Sequence, residues 1–159
     1  MNQFKRLMIF LIVGELGVCG FFVMKRLQGP IPVIPDVAYN HAVLKTDYLT
    51  LSQQATGGGS REFLELAEAL LGHGFYSYAE HNYRAALEFD PEDHAAQFGL
   101  GFCLDRTGRV SESTKEYRKA LEFTPSSDTS LMSHNHTWYS IGKNELRSEN
   151  VSEAENAFR

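Results

Sequence analysis

Hydrophobic residues are distributed along this chain in three textures, and each predicts a different element. The first is a continuous run, LMIFLIVGELGVCGFFVM at 7–24, broken by a single charge, Glu15. As a helix it would be roughly 27 Å long, close to the hydrocarbon thickness of a bilayer. Lys5 and Arg6 stand before it and Lys25 and Arg26 after it, so both ends reach toward headgroups. The pattern predicts an uncleaved transmembrane anchor over 7–24, behind a basic flank at 1–6. A cleaved signal peptide competes with this reading, but it needs small residues at the cut, and this run ends in FFVMKR. Val18 before Cys19 argues against a lipoprotein signal in the same way. Glu15 reads as a carboxylate that a single span tolerates rather than as a paired intramembrane acid. The basic flanks balance, so the positive-inside rule leaves orientation open.

The second texture covers 25–60 and is punctuated rather than continuous. QGPIPVIPD at 28–36 holds Pro30, Pro32 and Pro35, which fix their own backbone and disfavour helix in the residue before each. This predicts an extended, semi-rigid spacer. Val37, His41, Leu44, Tyr48 and Leu51 then recur at spacings of four and three, with Asp36 placed to cap a short amphipathic helix. ATGGGS at 55–60 predicts a flexible joint.

The third texture begins at Arg61 and repeats. Phe63, Leu66, Ala67 and Leu70 make one helical stripe, Ala79, Tyr83 and Ala86 a second, and Pro91 ends the unit. A shift of 34 residues turns Leu66 into Leu100, Ala67 into Gly101, Leu70 into Leu104, Gly74 into Gly108, Tyr83 into Tyr117, Ala86 into Ala120 and Pro91 into Pro125. Phe63 and Ala79 map less well, onto Gln97 and Ser113. The small residues Ala67 and Gly101 let two helices cross closely. Gly74 and Gly108 fall where the first helix must turn, which calls for a left-handed backbone. The period, the order of sizes and the closing proline resemble the tetratricopeptide repeat over residues 60–125.

A third unit follows the same resemblance. Trp138, Ile141 and Gly142 match its first helix, and Ala154 and Phe158 its second. Gly101 to Gly142 is 41 residues, seven more than the period. An earlier helix start near Asp128, with Leu131 one heptad before Trp138, accounts for this; a longer loop through SSDTSLMSHN is the alternative. Glu145 stands where an apolar residue is usual, and Glu149-Asn150 where a glycine is expected, with Asn tolerating the left-handed turn. The expected fold class is therefore all-α: a helix-turn-helix solenoid over 61–159, with repeats at about 60–93, 94–127 and 128–159, after an N-terminal transmembrane helix.

Charge narrows the partners. The chain carries −5 overall at 43% hydrophobic and 22% charged residues, with +2 in 1–60 and −7 in 61–159. An acidic body repels a phosphate backbone, so nucleic acid is not an expected partner. Cys19 and Cys103 lie in unlike surroundings and form neither a disulfide framework nor a metal motif. HNHTWYSIG at 134–142 suggests chemistry at first sight. His134 and His136 are two apart, however, and on a helix they face different sides, so they do not chelate together. No nucleophile elbow, phosphate loop or acid pair is present, so the expectation is no enzyme, no catalytic residue, no cofactor, no metal and no small-molecule substrate.

What the resemblance implies is a protein or peptide partner held in a concave groove lined by the first helices. Its positions fall on Leu64, Glu68, Phe98, Phe102, Asp105, Tyr139 and Lys143. Phe98 and Phe102 lie off the packing stripe, where they either anchor a partner or cover a neighbouring helix. The carboxylate clamp of chaperone-binding relatives is not expected, because its positions hold Leu64, Glu68, Phe98 and Phe102. The layout is similar to anchored bacterial repeat proteins that organise envelope assemblies. That similarity implies a single-pass membrane adaptor with its repeats on the extracytoplasmic side. A permanent subunit of a larger complex is the alternative, as is the N-terminal part of a longer protein with an active domain beyond Arg159.

Overall fold

The computed structural model describes residues 29–36, 42–123 and 131–159. The expected anchor at 7–24 lies outside them, as do Pro125 and Asp128. Among the described residues no helix is long and apolar enough to cross a membrane. Ile31–Arg159 forms one compact unit. Its helices are α1 (Ala42–Gly57), α2 (Ser60–Gly72), α3 (Tyr76–Phe89), α4 (His94–Arg106), α5 (Val110–Phe123), α6 (Leu131–Arg147) and α7 (Val151–Phe158), with no strand among the described residues. Each helix packs on the next along the chain, and α2 also touches α4. The paired helices α2–α3, α4–α5 and α6–α7 are the three expected units.

The corners follow from backbone sterics. Gly74 and Gly108 take φ of 80° and 84°, and their amides bond back to Leu71 O and Asp105 O. In the third corner Glu149, not Asn150, takes the positive φ, at 61°. Asn150 instead opens α7 and donates from Nδ2 to Glu145 Oε2 at 2.8 Å. Inside the helices, close approach decides residue size. A Cβ on Gly101 would stand 2.8 Å from the Tyr117 ring, and one on Gly142 would stand 2.5 Å from the Phe158 ring.

The two weakly matching slots are polar for visible reasons. Ser113 Oγ donates to Gly101 O at 2.8 Å and accepts from Asn144 Nδ2 at 3.0 Å, which joins α4, α5 and α6. Gln97 Nε2 donates to Pro91 O at 3.2 Å, closing the loop before α4. Glu145 is buried and bound by Arg118 of α5 at 2.9 Å, so an ion pair replaces the usual apolar contact there. Two cores result. The larger joins α1 to α4 through residues such as Tyr48, Phe63, Leu66, Leu70, Tyr83 and Leu104; the smaller holds Tyr117, Ile141 and Ala157.

Two expectations for 25–60 are corrected. The helix expected to end near Leu51 runs to Gly57, with Tyr48 and Ala55 both buried. The glycine joint is then a short capped link: Gly58 N–H donates to Ala55 O at 3.1 Å and Gly59 N–H to Glu62 Oε2 at 2.7 Å. That backbone bond from Gly59 holds the Glu62 carboxyl below its ordinary pKa. The proline stretch carries no helix or strand over 29–35, and residues 31–35 are docked on the repeats. Pro35 is buried and Ile34 packs on the larger core, and Asn82 of α3 pairs with the Val33 backbone.

Candidate functional site

The first helices α2, α4 and α6 carry all seven expected groove residues, and the structure uses them differently. Glu68 of α2 is exposed, while Leu64 is half-buried against the larger core. Asp105 of α4 is buried and accepts from Lys143 Nζ of α6 at 2.6 Å and from Arg147 Nη1, so both carboxylate oxygens are occupied. Asp105 and Lys143 thus link successive first helices. Arg147 was not expected there, although it lies one helical turn after Lys143 and so shares its face.

Phe98 and Phe102 part company as well. Phe98 packs on the smaller core, its ring 5.4 Å from Tyr117, so it covers a neighbouring helix. Phe102 is half-buried with its ring 6.4 Å from Tyr76, whose face is covered by the Arg106 guanidinium at 5.2 Å. Tyr139 of α6 is 63% exposed, with its ring 6.0 Å from Phe158. Of the seven, Glu68 and Tyr139 are exposed, while Leu64, Phe98, Phe102 and Lys143 are half-buried; Lys143 is bound to Asp105, and Phe102 packs on neither core. A cavity of about 520 Å³ is lined by Tyr139 with Trp138 and Phe158. A second cavity, of about 540 Å³ between α5, α6 and α7, is lined by Leu121, Trp138, Ile141 and Ala157 and by none of the seven.

Reactive chemistry is placed unfavourably. Burial pushes the Cys103 thiol up to about 12, so at neutral pH it is not a thiolate nucleophile. His134 Nε2 accepts from Trp138 Nε1 at 3.1 Å, which spends that nitrogen on the helix's own side chain. Among the described residues no group of three His, Cys, Asp or Glu is arranged to hold a metal ion. What the face offers a ligand is an exposed acid, two aromatic edges and a shallow cavity of mixed polarity, lined also by Asn135, Asn156 and Arg159. These suit a polypeptide segment better than a small reacting molecule.

Comparison with known proteins agrees with the repeat. Residues 64–128 match the family described as tetratricopeptide repeat. The crystal structure of MamA is similar to this chain with a TM-score of 0.63 and 15% identity, over 76% of this chain and 68% of that one. At this identity the likeness shows the fold alone. No curated protein matches the chain.

Proposed function

Since residues 64–128 match the tetratricopeptide repeat, whose fold serves as a protein-interaction scaffold, we propose that this chain is a membrane-tethered adaptor holding a partner segment on its first-helix face. The observation that carries this is Tyr139, a large aromatic left 63% exposed on α6 where the fold has no use for its outer edge. Buried aromatic anchors dominate binding energy at protein interfaces, so covering this ring would contribute more than any neighbouring contact. Glu68 and the Phe102 edge extend the same face. The apolar run at 7–24 is the proposed tether, and the proposed placement of the repeats is outside the cytoplasm, among envelope assemblies. No reaction is assigned.

A second reading has its own support. Trp138, Leu146, Val151 and Phe158 of the third unit are 39%, 50%, 67% and 48% exposed, more large apolar residues than any other unit leaves in solvent among the described residues, which suits permanent contact with another subunit. The triple change Glu68→Lys, Phe102→Ala and Tyr139→Ala separates the two. An adaptor loses its partner in co-purification from solubilised membranes while its melting temperature stays within a few degrees. Retention of every associated protein removes the groove reading and leaves the α6–α7 surface as the interface.

A further inference from the structure

Asn82 is fully buried on α3, yet the repeat does not call for it. The equivalent position holds Glu116 in the second unit and Ala157 in the third, and the helix around it is lined by the small residues Ala79, Ala85 and Ala86. Its amide is satisfied by the backbone of another segment and of its own helix. Nδ2 donates to Val33 O at 2.8 Å and to Tyr78 O at 2.8 Å, while Oδ1 accepts from Val33 N–H at 3.3 Å. One residue's N–H and C=O are thus read together, as a neighbouring strand would read them. Next to it, His81 Nε2 donates to Ile31 O at 3.1 Å. The clamp engages alternate residues of an extended chain through main-chain atoms.

Side chains add little selectivity at one end and much at the other. Ile31 is 75% exposed and is not read, whereas Ile34 packs on the core and Pro35 is buried. Prolines on both sides of Val33 hold the segment extended before it binds, which lowers the ordering cost. They also leave Val33 N–H as the donor presented to Asn82, because proline has none.

We propose that the His81–Asn82 face of α3 is a peptide-binding site for an extended aliphatic segment bounded by prolines, which residues 31–35 occupy in cis. This site is distinct from the first-helix groove and does not rest on that reading. A short tether gives the cis segment an effective concentration in the millimolar range, so it shields the site until displaced.

The probe is a fluorescent peptide of residues 29–36, GPIPVIPD, titrated into the full chain. Ile34→Asp weakens the cis segment without touching α3, and this variant binds the peptide at least tenfold more tightly than the wild type does. Adding Asn82→Ala to it, or N-methylating the peptide at its valine, reverses the gain by at least tenfold. A folded Ile34→Asp chain that binds no better than wild type overturns the proposal and makes the segment a fixed part of the core. Should Ile34→Asp fail to fold, amide exchange at Val33 in the wild type decides. Millimolar peptide accelerates that exchange if the site is exchangeable, and unchanged exchange overturns the idea.

Discussion

Glu149 holds a left-handed backbone at φ 61°, the conformation that Gly74 and Gly108 supply at the other two corners. For a residue with a Cβ that conformation costs about 1–2 kcal/mol. Glu149 is exposed, so Glu149→Gly relieves the strain while losing no buried contact, and chemical denaturation should show a gain of about 1 kcal/mol. Gly101→Ala should act the other way. It gains helix propensity but drives a methyl into the buried Tyr117 ring, for a net loss of about 1–3 kcal/mol by the same measurement. Glu80 supplies a pH dependence. Burial alone would raise its pKa, but hydrogen bonds from Arg109 and Arg84 outweigh that and leave it lowered. A depressed carboxyl stabilises the fold above its unfolded pKa and loses that effect as pH falls through the folded value. The stability gap between wild type and Glu80→Gln, present at pH 7, should therefore close below about pH 4. At this scale the sequence was read well where size or φ decides, as at Gly101, Gly74 and Gly108. It was misread where polarity substitutes for packing: Ser113, Gln97 and Glu145 looked like worn positions, and each is instead fixed by a hydrogen bond that spacing alone does not display.

Among the elements, α6 shows how far periodicity reaches. The seven extra residues before Gly142 predicted a start near Asp128, which lies outside the described residues; α6 is described from Leu131, about one turn further ahead of Gly142 than α2 begins ahead of Ala67 or α4 ahead of Gly101. The joint at 55–60 was misjudged because three glycines suggest freedom, whereas Glu62 reaches back to cap them. Packing differs between the units. Helices α1 to α4 share the larger core, while α6 and α7 close on a small cluster and on polar links through Asn144, Glu145 and Asp105. Local stability follows buried apolar contact, so amide hydrogen exchange should be fastest in α7, intermediate in α6 and slowest in α2 to α4. Uniform protection across all the helices would contradict this division.

For the molecule as a whole, the solenoid was legible because its constraints repeat, and the docking of 31–35 was not, because Asn82 acts once and through backbone atoms. The seven expected groove residues all lie on the first helices, but their contacts differ. Asp105, Lys143 and Phe98 are engaged in holding the units together, and Glu68, Phe102 and Tyr139 are the residues proposed to meet a partner. That division is the central claim, and site-specific photocrosslinking in intact cells tests it most directly. A benzophenone side chain is placed in turn at Glu68 and Tyr139, and at Glu88 and Lys115, exposed positions on the second helices. The account predicts one discrete adduct of common mass from the first pair and none from the second. Adducts from Glu88 and Lys115 alone, or an equal smear from all four, would contradict it.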